Sequence, residues 1–282
     1  IKVGRQTLPK ALSPFAYSEN WNVFANTFDA ALLVNTDIAN TTLVYAFVKG
    51  GNANAMILDA SDMSDFGDLN EDDGVHMLTV QNKSITDLTL TGSYYYAADF
   101  FDGANSLNIL WGDAHYNAGS FNVGVQGGQI AHDLFDTAGN GDINSFGAKI
   151  AAALGPVNAE LAYSNTNDGG VIGAGLGGVL NLGGTTSALY TSTMADELIG
   201  SNIMNYDADK WVVRGNMDAL GGNIAALYAM TDSGLVGDTT EIDVAYTTTV
   251  ADSLDLSAVY MYSDNDTIDT SDVVRVIANY KF

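Results

Sequence analysis

The sequence predicts an all-β chain, a transmembrane up-and-down antiparallel β-barrel, and three observations carry that expectation. Strand-length segments recur along nearly the whole chain with apolar and polar side chains alternating, the period of two that sends successive residues to opposite faces of a sheet. Short and long connections alternate between these segments. No stretch reaches 18 uninterrupted apolar residues, which excludes an ordinary helical span but not a span made of strands.

Fourteen strands are predicted, at 1–8, 28–38, 41–50, 75–85, 88–99, 105–117, 120–131, 144–154, 157–166, 210–220, 223–232, 239–250, 253–264 and 271–282. The first rests on Ile1-Lys2-Val3-Gly4-Arg5, which reads as the inside of a strand. Later strands sort their faces more cleanly. Leu88, Leu90, Tyr94 and Tyr96 oppose Thr89, Thr91, Ser93 and Tyr95, and Phe121, Val123 and Val125 oppose Asn122, Gly124 and Gln126. Val157, Leu161 and Tyr163 oppose Asn158, Glu160 and Ser164, while Trp211, Val213 and Met217 oppose Arg214, Asn216 and Asp218. Ile242, Val244 and Tyr246 oppose Glu241, Asp243 and Thr247, and Leu254, Leu256 and Tyr260 oppose Asp255 and Ser257. The last strand sets Val274, Val276, Ala278, Tyr280 and Phe282 against Arg275, Asn279 and Lys281. The runs AALLV at 30–34 and KIAAALG at 149–155 depart from strict alternation and read as packing.

The links IANT, SITD, NAGS, GPVN, GGN and VADS follow the even-numbered predicted strands, and longer acidic stretches follow the odd ones. Tight turns on one rim and long loops on the other are the wiring of an up-and-down barrel in an outer membrane. Strands of about 10 to 12 residues suit the roughly 9 to 11 that a tilted strand needs to cross hydrocarbon. A closed barrel also pairs every backbone group, which an open sheet edge in lipid does not. A soluble β-sandwich or solenoid would show the same alternation with its apolar face turned to an internal core; the two-rim asymmetry and the aromatic terminus favour the barrel.

Composition narrows the function classes. Against 34 Asp plus Glu stand 10 Lys plus Arg, a net charge of −24, which makes nucleic acid, whose affinity comes from phosphate neutralisation, an unsuitable partner. Cysteine is absent, excluding a disulfide framework, a thiolate metal site and a cysteine nucleophile. With 30 Gly but 3 Pro, the turns are expected to use Gly, Asn and Asp. No signal peptide is visible at the start, so a processed or truncated N-terminus is expected.

Enzyme chemistry finds little support, and no catalytic residue is assigned. His76, His115 and His132 have no helical i, i+4 partner, and neither G-x-S-x-G nor GxxxxGK[ST] occurs. GAGLGG at 173–178 lies in the longest loop without the strand and helix that a nucleotide-binding turn requires. Asp59, Asp62, Asp65, Asp68, Glu71, Asp72 and Asp73 crowd one loop, and DTAGNGDIN spans 136–144. Neither matches the spacing of a calcium loop, so Ca2+ stands only as a possible ligand and the metal residues as unknown.

The stretch GRQTLPKALSPFAYSENWNVFANTFDAALLVNTDI near the start, LDLSAVYMYSDND followed by VVRVIANYKF at the end, and the hairpin rhythm between them resemble the campylobacter-type major outer membrane porin, a relative of the OprD-like channels. That resemblance implies an 18-stranded, usually trimeric barrel in a Gram-negative outer membrane, in contact with lipid and lipopolysaccharide, with four strands before Ile1. It makes 9–27 an inward constriction loop, with Lys10, Glu19, Asn20 and Asn22 facing the narrowest water. The stretches 52–74 and 167–209 are expected as long external loops. The polar faces supply Asp29, Asn35, Lys149, Glu160, Arg214, Asp218, Glu241, Asp243, Asp255 and Arg275 as the pore wall. Tyr280 and Phe282 form the C-terminal signature of outer-membrane proteins. The implied function is passive diffusion of small hydrophilic solutes through a water-filled pore that prefers cations, as carboxylate excess favours. The alternative is a surface-binding or structural barrel acting through its acidic loops.

Overall fold

The computed structural model describes residues 1–19, 25–52, 67–70, 73–100, 105–181, 183–250 and 253–281. In chain order the strands are β1 (Lys2–Gln6), β2 (Phe28–Asn35), β3 (Thr41–Gly51), β4 (Gly67–Asp68), β5 (Val75–Asn82), β6 (Leu88–Ala97), β7 (Leu107–Asn117) and β8 (Phe121–Ala131). After the short helix α1 (Asp133–Ala138) come β9 (Ile143–Leu154), β10 (Val157–Thr166), β11 (Gly170–Val171) and β12 (Leu176–Gly177). A π-helical turn at Asp196–Gly200 runs into α2 (Ser201–Met204), followed by β13 (Ala208–Ala219), β14 (Gly222–Ser233), β15 (Gly237–Val250), β16 (Leu254–Asn265) and β17 (Ser271–Tyr280).

One antiparallel sheet of 15 strands contains all of these except β11 and β12, which form a two-stranded ribbon. Its path follows chain order from β1 to β17, with β4 pairing only with β3. The fourteen predicted strands thus correspond to the fourteen strands of the main path, and the sequence boundaries for 157–166 coincide with β10. The short links are tight because one residue in each turns left-handed: Asn40 (φ 55), Asp87 (φ 63) and Gly155 (φ 65) follow β2, β5 and β9. Asn, Asp and Gly are the residues that tolerate this region.

The two faces differ as the alternation predicts. Leu78, Leu110, Phe121, Ile150, Leu161, Val213, Tyr228, Ile242, Tyr260 and Val274 are all exposed. A continuous band of exposed aliphatic and aromatic side chains is suited to hydrocarbon rather than water. The opposite face is covered. Phe15 is wholly buried and meets Tyr95 edge-on at 5.7 Å and Trp111 at 5.3 Å between centroids, extending a core that includes Phe28, Ala46, Met77 and Ile109.

A second segment enters from the other side. Leu189, Thr191, Ala195, Asp196, Leu198 and Met204 are buried. Between residues 190 and 197 it bonds to Asp113 on β7, Ser164 on β10, Glu241 on β15 and Arg275 on β17. Eight residues can reach strands so far apart in the pairing order only if the sheet curls around them. Much of 167–209, expected as an external loop, therefore lies within the concavity, because its apolar residues bury against the inward face and its polar ones meet the inward charges. Stretch 53–66 lies outside the described residues. Among the described residues no pairing joins β1 to β17, so both edges of the curled sheet carry backbone groups outside the ladder.

Candidate functional site

Strand register builds the site. Because paired residues share a face, inward side chains line up in rows across the sheet. One row runs His115, Gly124, Lys149, Ala162, Val212, Ala229, Glu241 from β7 to β15. The next runs Glu160, Arg214, Leu227, Asp243, Met261 from β10 to β16. A third, on the other side of the first, carries Asp113, Gln126, Gly147, Ser164 and Lys210. Alternation within each strand thus brings eight titratable groups onto one concave surface.

Segment 187–197 crosses this surface and leaves a cavity of about 460 Å³ on one side, lined by Lys10, Trp111, Asp113, His115, Gln126, Lys149, Glu160, Tyr190 and Arg214 among others. Glu160 sits between two cations, 3.4 Å from Lys149 and 3.5 Å from Arg214. Arg214 also donates to the carbonyls of Tyr190 at 3.1 Å and Ser192 at 3.2 Å, gripping the crossing segment. The Lys149 ammonium lies 4.6 Å from the centre of the Tyr190 ring, whose hydroxyl donates to Asp113; burial and that carboxylate push the Tyr190 hydroxyl upward. His115 Nε2 stands 3.1 Å from Asp113. Lys10 donates to the Ser187 carbonyl at 2.6 Å, and loss of hydration lowers it to about 8, Glu19 opposing. Three cations face two carboxylates here, a positive local balance in a chain that is strongly acidic overall.

On the far side a second cavity of about 360 Å³ is lined by Glu197, Arg214, Asp243 and Arg275 above the small side chains Ala225 and Ala245. There Lys210 meets Asp196 at 2.9 Å with both side chains almost fully buried, and Arg275 meets Glu197 at 3.3 Å. Burial lifts the Glu197 carboxyl to about 7 despite the opposing guanidinium.

Several expected site residues are brought together: Lys10, Lys149, Glu160 and Arg214 at the first cavity, and Asp243 and Arg275 at the second, with Glu241 beside Asp196. Others are not. Glu19, expected to face the constriction water, is 3 % exposed. Its carboxylate accepts from Asn181 Nδ2 at 2.9 Å, from the Thr185 and Thr186 amides at 3.1 and 2.9 Å, and from the Thr186 hydroxyl at 2.6 Å. It joins the two inward loops because donors converge on it; Gly184 leaves room for it, since a Cβ there would lie 2.1 Å from its Oε1. Asp29 is also displaced from the pore wall: its neighbours Phe28 and Ala30 are buried, and it pairs with Arg5 at 4.0 Å where both are exposed. Asp218 and Asp255 stand near the short-turn ends of β13 and β16, bonded to Asn223 at 2.9 Å and Lys281 at 2.6 Å. Tyr280 is exposed on the apolar face, whereas Asn20, Asn22 and Phe282 lie outside the described residues.

Asp113, His115, Trp111, Tyr190, Asp196, Glu197 and Lys210 were absent from the expected set. The parity of β13 carries a signal for Lys210, two residues from Val212 and four from Arg214 on the inward face. Tyr190, Asp196 and Glu197 sit in an irregular segment without parity. GAGLGG forms the β11–β12 turn, with Gly175 (φ 74) and Gly178 (φ 62) left-handed. Among the described residues no group of three His, Cys, Asp or Glu is placed to hold a metal; Asp59, Asp62, Asp65, Glu71 and Asp72 lie outside them.

The arrangement defines a class by fold: a curled antiparallel sheet, apolar outside, with charged rows and crossing segments inside. No family model and no curated protein sequence matches the chain. Solved structures do. OccK3 (OpdO) of Pseudomonas aeruginosa matches with a TM-score of 0.75 at 17% identity, over 99% of this chain and 74% of that one. OccK8 (OprE) of the same organism gives 0.71 at 16%, covering 99% and 75%, and OccAB2 of Acinetobacter baumannii gives 0.70 at 15%, covering 99% and 72%. These neighbours are outer-membrane β-barrel porins, and at such identities the likeness is one of fold.

Proposed function

We propose that the protein is an outer-membrane channel of Gram-negative type, passing small hydrophilic solutes by diffusion. The carrying observation is the pairing of an exposed apolar band outside with a charged, partly obstructed cavity inside the same curled sheet. Water, not lipid, suits the inner rows, and the inward loops set a size limit. Under this reading the lipid bilayer and lipopolysaccharide are its surroundings. The edges of β1 and β17, unpaired with each other among the described residues, need partners in hydrocarbon, which does not tolerate unpaired backbone. The N- and C-terminal segments favour the campylobacter-type member of the class and its trimer.

Cation preference belongs to this reading too, but the first cavity does not supply it, since cations outnumber carboxylates there. Its source is the carboxylate excess of Asp196, Glu197, Glu241 and Asp243 over Lys210 and Arg275, together with the acidic loops. The burial of much of 176–206 weighs against a surface-binding role through that loop.

Single-channel current from the full-length protein in a planar bilayer, with the reversal potential in a salt gradient, tests the proposal. Stepwise ohmic openings with cation-selective reversal are expected. Silence from folded, inserted protein overturns it.

A further inference from the structure

We propose that segment 187–197 is a proton-dependent strap, docked across the lumen while the carboxyl cluster at its far end holds a proton and loosened when that proton leaves. As a device that changes the pore it rests on the channel reading; as a docking equilibrium it stands on the contacts alone.

The strap's far half carries Asp196 and Glu197, and β15 presents Glu241 and Asp243 to it. Opposite them stand Lys210 on β13, paired with Asp196 at 2.9 Å, and Arg275 on β17, paired with Glu197 at 3.3 Å. Four carboxylates thus share two cations in a place where Asp196, Glu241 and Lys210 are all nearly inaccessible to water. The remaining groups do not restore the balance. Arg214 is engaged by Glu160 and by strap carbonyls, β16 presents Met261 and Ser263, and the N-terminal loop adds Lys10 and Glu19, one of each sign.

Glu241 and Asp243 are next neighbours on one face of β15, and among the described residues one buried Asp243 carboxyl oxygen has no hydrogen-bond partner. Neighbouring carboxylates have no donor between them, so one proton shared by the pair relieves their repulsion and satisfies that oxygen. Glu241 also accepts from the Ala195 amide at 2.8 Å, the direct tie between the strap and β15. Losing the proton leaves four negative charges, two buried and two half-buried, against two positive ones, and undocking returns Asp196 and Glu197 to water. Glu197 acts in the same direction. Burial raises it to about 7 when docked, above its ordinary range, so its contribution to docking is full in acid and is lost as pH rises through about 7.

Hydrogen–deuterium exchange on the full-length protein in lipid vesicles reads docking without requiring conduction. Protection of the 193–197 amides, corrected for intrinsic exchange, is expected to fall by roughly tenfold per pH unit as pH rises toward about 7, the slope of one linked proton, and to level off above it. Amides in β9 and β10 should keep their protection. Asp243→Asn and Glu241→Gln, which supply a permanent donor to the pair, should each flatten the dependence. Protection independent of pH in the native protein overturns the proposal, as does an unchanged slope in either variant with its sheet amides still protected. Conductance is recorded separately, so a silent bilayer sinks the channel reading while the exchange result still decides the strap.

Discussion

Glu19 and Asp29 show how far a single carboxylate's role depends on its surroundings. Both read from the sequence as pore charges, yet one is a buried hub accepting four hydrogen bonds from residues 181–186 and the other an exposed partner of Arg5. Hydrogen bonds to a charged group are worth about 1.5–3 kcal/mol each. Glu19→Gln, which loses the charge and places a donor among donors, should therefore destabilise the inward loops by on the order of 3 kcal/mol. Thermal unfolding of the purified protein should show it as a lowered transition. Asp29→Asn should leave both the transition and the reversal potential unchanged; a selectivity shift on that substitution would return Asp29 to the pore wall.

At the scale of elements, the strands were legible and the inward loops were not. A strand's period of two follows from local geometry, so Arg214, Glu241 and Asp243 could be assigned to the inner face from spacing alone, and the structure puts them there. Residues 7–19 and 176–206 have no period, and their places are fixed by distant partners: Phe15 by Tyr95 and Trp111, Tyr190 by Asp113, Asp196 by Lys210. Phe15 is the anchor of the first loop. Phe15→Ala removes a fully buried ring, at a cost of about 3–5 kcal/mol, and should free the loop and raise single-channel conductance. A lower or unchanged conductance with folded protein would show that the loop does not narrow the path.

For the whole molecule, charge location outweighs charge total. The net −24 suggests cation preference, but the groups along the crossing segment come close to cancelling: Lys10, Lys149, Arg214, Lys210 and Arg275 against Asp113, Glu160, Asp196, Glu197, Glu241 and Asp243. Outside the strands, two of them titrate near neutrality. Glu197 gains its charge through about 7, and Lys10, its ammonium drawn out of water against the Ser187 carbonyl, loses its charge through about 8. Both changes make the lumen more negative, so cation over anion permeability should rise between those values. Lys10→Gln should remove the upper part of that rise, and a reversal potential constant across the window would exclude these groups from the filter. What the sequence by itself determined is the strand count, the antiparallel hairpin order, the apolar outer face and the two unlike rims, because each depends on alternation and turn residues a few positions apart. What only the tertiary structure decided is which segments turn inward, which carboxylates are buried and where a cavity remains. Those depend on side chains more than a hundred residues apart, such as Glu19 and Thr186, meeting where the sheet curls, and no local pattern encodes that meeting.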